Sequence, residues 1–175
     1  RVRDVIEPLD ALPFPVRTDQ FYSRLGGNIL GSRGCCNNCS FCCINPFYGP
    51  PSRRRERSPE NIAAEIDEML PRLNRKYMYF LDADFFGCGE AGRKRACAVG
   101  SAVAERGLAF GLECRSNDVQ PQVFKHLVSC GLRDVFLGIE SGSAAALIPE
   151  KKAVSGTANR RAVEIVRSLG IEPSL

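Results

Sequence analysis

The sequence of 175 residues contains no tryptophan, two methionines and a single histidine, His126. It has no apolar run of the length that crosses a membrane, and it does not open with the pattern of a signal peptide. The absence of such an apolar run argues against a membrane protein. One histidine also cannot supply a zinc site built on imidazole ligands. The first residue is Arg1 rather than methionine, so we expect a piece of a longer protein.

The composition that remains is typical of a globular protein. Hydrophobic residues make up 44% and charged residues 25% of the chain, and the length suits about one domain with a buried core. The net charge is only +4. Its concentrated part is Arg53-Arg54-Arg55 with Arg57, which we interpret as a solvated loop in preference to a nucleic-acid-binding patch. We therefore expect neither a membrane nor a nucleic acid as partner.

Nine cysteines are present, and three of them stand close together. Cys35, Cys39 and Cys42 have the spacing C-x3-C-x2-C, and thiolates this close repel one another unless a metal or an iron–sulfur cluster lies between them. Three ligands leave one position open, whereas a structural zinc site is closed by four. The alternative is a zinc-binding interaction module, because Cys36 and Cys39 also form a C-x2-C pair. The clustering favours a reducing compartment over a disulfide scaffold.

Helical and strand patterns alternate after a proline-containing segment. Residues 1–27 are interpreted as a linker in which Leu9, Leu12, Phe14 and Val16 pack as a collar. Apolar strands are predicted at 28–32, 77–81, 108–112 and 135–139, with a further strand opening at Ile171. The continuous apolar run at 77–81 predicts a strand that is buried on both faces. Helices are predicted at 59–73 with Ser58 as the N-cap, at 91–106, at 121–130, and up to Leu169 with Thr157 as the N-cap. This alternation gives right-handed βαβ units, so the predicted fold class is α/β with a parallel sheet.

Polar residues follow each predicted strand. The cysteine loop follows the first strand, and the next three are followed by Asp82 and Asp84, by Glu113 and Arg115, and by Glu140 and Ser141. Because the carboxyl ends of parallel strands meet at one edge, we expect all four sets to face one mouth. The plainer alternative is that each carboxylate is a solvated strand-end group or pairs with a neighbouring cation.

The phrase Ser-Arg-Gly-Cys-x-x-x-Cys-Ser-Phe-Cys (32–42) is followed by Phe47-Tyr48-Gly49 and by Arg-Ser-Pro-Glu-Asn (57–61). It resembles the radical S-adenosylmethionine (SAM) superfamily, in particular the branch that often carries an upstream cobalamin-binding domain. Cys36 departs from that branch, which usually has proline there. Residues 9–15 are similar to the junction that follows such a domain. The resemblance implies a partial (β/α)6 barrel whose first two thirds are residues 28–175, truncated after about four βα units.

The resemblance also implies a ligand set. Cys35, Cys39 and Cys42 would hold three irons of a [4Fe-4S] cluster, and SAM would chelate the fourth. The implied SAM contacts are Phe41 at the adenine, Asp84 or Asp82 at the amino group, Glu113 and Glu140 with Ser141 at the ribose or methionine moiety, and Lys152 or Lys151 at the carboxylate. The other cysteines are interpreted as small buried or incidental residues, namely Cys43, Cys88, Cys97, Cys114 and Cys130. His126 is interpreted as a surface residue.

The implied reaction is the reductive cleavage of SAM to a 5′-deoxyadenosyl radical, which abstracts hydrogen from a substrate. It requires an electron donor of the flavodoxin or ferredoxin type and fits a cytoplasmic setting; the substrate is left open. An upstream cobalamin domain would make methyl transfer or a radical rearrangement the net reaction. A methylthiotransferase-like enzyme acting on transfer RNA or a ribosomal protein is the second enzymatic interpretation.

Overall fold

The structure is a computed structural model that describes residues 5–19, 22, 27–49, 54–147 and 151–175. Its strands are β1 (Gly27–Ile29), β2 (Ser32–Arg33), β3 (Arg55–Glu56), β4 (Tyr77–Phe80), β5 (Ala109–Arg115) and β6 (Leu132–Gly138). Its helices are α1 (Ile44–Tyr48), α2 (Pro59–Met69), α3 (Gly89–Glu105), α4 (Pro121–Ser129), α5 (Ala144–Leu147) and α6 (Gly156–Ser168). No helix among these residues is long and apolar enough to cross a membrane.

Strands β1, β4, β5 and β6 form one parallel sheet in that order. Helix α2 lies in the connection from β1 to β4, and α3 and α4 form the next two connections. The α/β class and the partial barrel predicted from the sequence are therefore confirmed. Beyond α6, Ser174 forms a parallel bridge with Phe136 of β6, where the sequence predicts a further strand from Ile171.

The core lies between the sheet and its helices. Alternate strand residues point into it, among them Met78, Phe80, Phe110, Leu112, Val135 and Leu137. The prediction that the strand at 77–81 is buried on both faces was wrong, because Tyr77 and Tyr79 face the other side and are only half-buried. Gly111 of β5 makes room for these rings, since a Cβ there would lie 2.5 Å from the Tyr77 hydroxyl and from the Tyr79 ring.

The helix ends follow their capping residues. Ser58 caps α2 as predicted, and its Oγ accepts a hydrogen bond from Asn61 N at 3.0 Å. The predicted cap of the last helix, Thr157, was wrong: Ser155 Oγ accepts from Ala158 N at 3.1 Å, and α6 begins at Gly156. Both hydroxyls suit an N-cap, so only the path of the chain into the helix distinguishes them.

The arginine-rich segment is not a solvated loop. The Arg54 side chain is 3% exposed; its Nε donates to Glu56 Oε1 at 2.9 Å and its Nη1 to Gly34 O at 3.2 Å. Antiparallel pairing of β3 with β2 carries this segment across the start of the cysteine loop, where carboxylate and carbonyl oxygens accept from its guanidinium groups. Arg53 lies outside the described residues.

Residues 5–19 run along the outside of the first βα unit. Leu9 is buried as predicted, whereas Val16 is 99% exposed, so the collar prediction was wrong for Val16. Arg17 Nη2 donates to Asn28 O at 3.1 Å and also contacts the carboxylate of Glu65 on α2. The segment is thus tied to the sheet and to α2. The domain boundary near residue 27 stays a prediction.

Candidate functional site

The root of the cysteine loop is fixed by Asp82, which follows β4. This side chain is fully buried; its Oδ2 accepts from Gly31 N at 2.9 Å and its Oδ1 from Ser32 Oγ. Burial raises the pKa of Asp82, and these two hydrogen bonds oppose the rise. Because Asp82 anchors the loop within the protein, Asp84 is the better candidate for a ligand contact.

The three cysteines of the motif are free, half-buried thiols at the carboxyl edge of the sheet. Cys42 N donates to Cys39 O at 3.3 Å, which turns the loop back on itself. Burial raises the pKa of the Cys39 thiol, and the positive charges of Arg115 and Lys152 oppose that rise. Two cations therefore lie beside the loop, where they would compensate the negative charge of a thiolate-bound cluster.

The donor set of the loop is three thiols, Cys35, Cys39 and Cys42, with the cations Arg115 and Lys152 beside Cys39. Among the described residues, no group of three Cys, His, Asp or Glu side chains is arranged to hold a metal ion. Three thiolates suit a cluster with one open position, whereas a structural zinc site is closed by four ligands.

Cys88 was wrongly interpreted as incidental. It is exposed and forms a disulfide with Cys36 of the loop, across a Cα–Cα distance of 6.0 Å. Cys88 is the N-cap of α3, so the disulfide ties the cysteine loop to the helix that follows β4. The seven remaining cysteines of the chain are free thiols, and Cys114 and Cys130 are buried as predicted.

This disulfide predicts a thiol count. Alkylation of the denatured chain without reductant should label seven cysteines, and prior reduction should add two. In the variant Cys88→Ser all eight remaining cysteines should be labelled without reductant, which intact-mass spectrometry would detect. Labelling of nine cysteines in the unreduced wild-type chain would contradict the assignment.

Asp84 and Arg115, at the ends of β4 and β5, meet at Asn37 of the cysteine loop. Asn37 Nδ2 lies 3.4 Å from Asp84 Oδ2, and Arg115 Nη1 donates to Asn37 Oδ1. Burial raises the pKa of Asp84, and the charges of Arg54 and Arg115 oppose that rise. Burial and the Asp84 charge raise the pKa of the neighbouring Asp118 to about 7. The sequence interpretation assigned no role to Asn37.

Lys152, Glu140 and Phe41 also come together. Lys152 is only 4% exposed; its Nζ donates to Glu140 Oε1 at 2.7 Å and lies 5.6 Å from the centre of the Phe41 ring. Phe41 itself is half exposed. Glu140 has a φ of 58°, in the left-handed region that residues other than glycine rarely adopt. In this structure Glu140 therefore pairs with a neighbouring lysine, as the plainer alternative holds. The other candidate lysine, Lys151, is exposed.

Glu113 and Ser141 lie at the ends of β5 and β6. Glu113 is half-buried, and burial together with the Asp82 charge raises its pKa. Ser141 Oγ accepts from Ser143 N at 3.0 Å. The sequence interpretation missed Asn159 of α6, a buried amide whose Nδ2 donates to Ile139 O at 3.0 Å and to Ser141 O at 2.9 Å. Asn159 thus fixes the turn after β6. Asparagine within an amphipathic helix gives no signal of such a role.

Comparison with known proteins gives this arrangement a context. A family model described as the radical SAM superfamily matches residues 29–175. The hopanoid C-3 methylase of Methylococcus capsulatus is 34% identical over 145 residues, which are 80% of this chain and 26% of that protein. The hopanoid C-2 methylase of Rhodopseudomonas palustris is 28% identical over 145 residues, 79% of this chain and 27% of that protein. The chain thus spans about a quarter of the length of these relatives.

Solved structures share the fold. The cobalamin-dependent S-adenosylmethionine radical enzyme OxsB superposes with a TM-score of 0.73 at 23% identity, over 83% of this chain and 22% of that one. The radical S-adenosylmethionine methyltransferase TsrM from Kitasatospora setae gives 0.73 at 19% identity, over 93% of this chain and 32% of that one. At these identities the likeness concerns the fold alone.

Proposed function

The chain belongs to the radical SAM superfamily, and from this premise we propose that it is the core of an enzyme that cleaves SAM reductively. Cys35, Cys39 and Cys42 would hold the [4Fe-4S] cluster. The observation that carries the proposal is the set of three free, half-buried thiols in one loop at the carboxyl edge of the sheet. When bound and reduced, the cluster supplies the electron that breaks the C5′–S bond of SAM, giving methionine and a 5′-deoxyadenosyl radical.

The chain's own residues would bind and orient SAM. Lys152, buried beside Cys39, would offer its ammonium to the SAM carboxylate, in competition with Glu140. The half-exposed ring of Phe41 would cover the adenine and exclude water from it. This assignment prefers Lys152 to Lys151, because only Lys152 is buried next to the loop.

The remaining contacts come from the strand ends. Asp84 would face the SAM amino group, since an ammonium next to a buried carboxylate favours the charged form of both groups. Glu113 and Glu140 would accept hydrogen bonds from the ribose hydroxyls or the methionine moiety, with Ser141 beside them. Their support is their position at the ends of β5 and β6, on the same edge as the cysteine loop.

For the whole protein, we infer methyl transfer as the net reaction. The support is the 34% identity to a hopanoid C-3 methylase and the sequence phrase at 32–42 that resembles the cobalamin-associated branch. The cobalamin would bind to a domain outside this chain. A low-potential electron donor of the flavodoxin or ferredoxin type, acting in the cytoplasm, would supply the electron.

The experiment that tests the SAM chemistry is product analysis. The chain is reconstituted anaerobically with iron and sulfide, reduced with dithionite and incubated with SAM. We expect 5′-deoxyadenosine and methionine in equal amounts, their loss in Cys42→Ala, and their retention in Cys43→Ala, the matched control on the exposed neighbouring thiol. Product formation that persists in Cys42→Ala, or no product from a loaded wild-type chain, would overturn the proposal.

Lys152→Met should weaken SAM binding. A hydrogen bond to a charged group is worth roughly 1.5–3 kcal/mol, so the dissociation constant should rise about 10- to 150-fold. Lys151→Met removes the same charge from an exposed neighbour and should change the constant less than about 2-fold. Equilibrium dialysis of the reconstituted variants measures both. An equal effect of the two substitutions would refute the assignment to Lys152.

A further inference from the structure

Asn37 lies between two cysteines of the motif and has every polar group engaged. Its backbone N and its Nδ2 both lie 3.4 Å from Cys35 Sγ, as donors. Its carbonyl oxygen accepts from Asn45 Nδ2 at 2.7 Å. Its Oδ1 accepts from Arg115, and its Nδ2 also donates to Asp84. In a loop asparagine with no role, some of these donors and acceptors would form hydrogen bonds with water instead.

Arg115 fixes the direction of the Asn37 amide. Its guanidinium can only donate, so it must meet the Oδ1 of Asn37. A flipped amide would set donor against donor at Arg115. The NH2 group is therefore held toward Cys35 Sγ and Asp84 by a residue at the end of β5.

The guanidinium of Arg115 has two further hydrogen-bond donor nitrogens besides the one that contacts Asn37. Its Nε and Nη2 are buried and have no hydrogen-bond partner within the part of the chain that the structure describes. The backbone N of Arg115 donates to Asp118 Oδ2 at 3.2 Å, which fixes the residue where β5 ends. The contact with Asn37 is thus made by a partly buried cation whose backbone N is held by Asp118. Its charge polarises the amide and strengthens the N–H donor that faces Cys35.

We propose that Asn37 is a positioning residue that orients the Cys35 ligand and raises the reduction potential of the cluster, with Arg115 acting on it through the amide. This inference rests on the proposed function, since it requires that Cys35 bind the cluster. Hydrogen bonds to the cluster's sulfur ligands favour the more negative, reduced state and so raise its potential. The side-chain N–H of Asn37 is the donor that a substitution can remove without changing the backbone.

The test is a redox titration of the anaerobically reconstituted chain, followed by EPR. Asn37→Asp replaces the NH2 donor by an oxygen at nearly the same volume. Asn38→Asp is the matched control, because it adds the same charge to the same loop while the Asn38 side chain contacts Asn45 and not Cys35. At a fixed potential, we expect the ratio of reduced to oxidised cluster to be about tenfold lower in Asn37→Asp than in the control. For one electron, this corresponds to a reduction potential that is about 59 mV lower.

A second pair of variants isolates the role of Arg115. Arg115→Lys keeps the positive charge and removes the planar fork that holds Asn37. It should lower the potential in the wild-type background and change it little in an Asn37→Ala background, because a residue that acts through another has no effect once that residue is absent. An equal shift of the reduction potential in both backgrounds would overturn the inference that Arg115 acts through Asn37.

Failure of this inference is distinguishable from failure of the proposed function. If the reconstituted wild-type chain binds no iron and sulfide, the proposed function is wrong. A loaded wild type whose potential matches that of Asn37→Asp and Asn37→Ala would overturn the inference alone. Loss of the cluster in both Asn37 variants would also overturn it, since Asn37 would then be required for assembly and not for tuning.

Discussion

Cys39→Ala is expected to leave the chain folded and unable to hold a cluster. Cys39 is the middle ligand of the motif, and its removal leaves two thiolates where three are needed to bind three irons. Iron and sulfide after anaerobic reconstitution should fall to the level of a protein-free control. The unfolding free energy of the metal-free chain should change by less than about 1 kcal/mol, because the thiol is only half-buried in a loop.

The matched control is Cys43→Ala, the same substitution on an exposed thiol directly after the motif. It should bind iron and sulfide in the same amounts as the wild type. If Cys39→Ala retained the cluster while Cys43→Ala lost it, the ligand set would be wrong. If both variants bound one zinc without sulfide, the zinc-binding interaction module would replace the proposed enzyme.

Glu65→Ala is expected to be strongly destabilising, although Glu65 lies outside the cysteine loop. Glu65 of α2 is 1% exposed and contacts Arg17 through one carboxylate oxygen and Arg57 through the other. Removing one member of a buried ion pair leaves the partners uncompensated and costs about 3–5 kcal/mol. Urea denaturation of the metal-free chain should show that loss as a lower midpoint with an unchanged slope.

Glu68→Ala on the same helix is the control for helix propensity and net charge. Glu68 is exposed, so its removal should change the unfolding free energy by less than about 0.5 kcal/mol. A loss at Glu65 below about 1 kcal/mol would mean that Arg17 and Arg57 regain water when the carboxylate is absent. The packing of residues 5–19 against α2 would then contribute little to stability.

The parts of the site that follow from local spacing could be predicted. The cysteine motif is contained between 35 and 42, and its chemistry depends on thiols that are close in the chain. The strand ends at Asp84, Glu113 and Glu140 were predicted because parallel strands place their carboxyl ends at one edge. The structure puts these residues on that edge. The Ser58 cap followed from a local pattern as well.

The parts that depend on pairing between distant residues could not be predicted. The Cys36–Cys88 disulfide spans a separation of 52 residues, and the Arg115–Asn37 contact spans 78. The burial of Arg54 depends on the pairing of β2 with β3, two strands too short to leave a hydrophobic period. In each case the residue type is compatible with several environments, and tertiary structure alone selects one of them.

The most direct test of the account is EPR of the dithionite-reduced, reconstituted chain with and without SAM. A cluster held by Cys35, Cys39 and Cys42 has one iron free of protein ligands, to which SAM can bind. We expect a reduced [4Fe-4S] signal whose g-values shift when SAM is added. A cluster signal that SAM leaves unchanged would contradict the open iron, and zinc without sulfide would contradict the cluster itself.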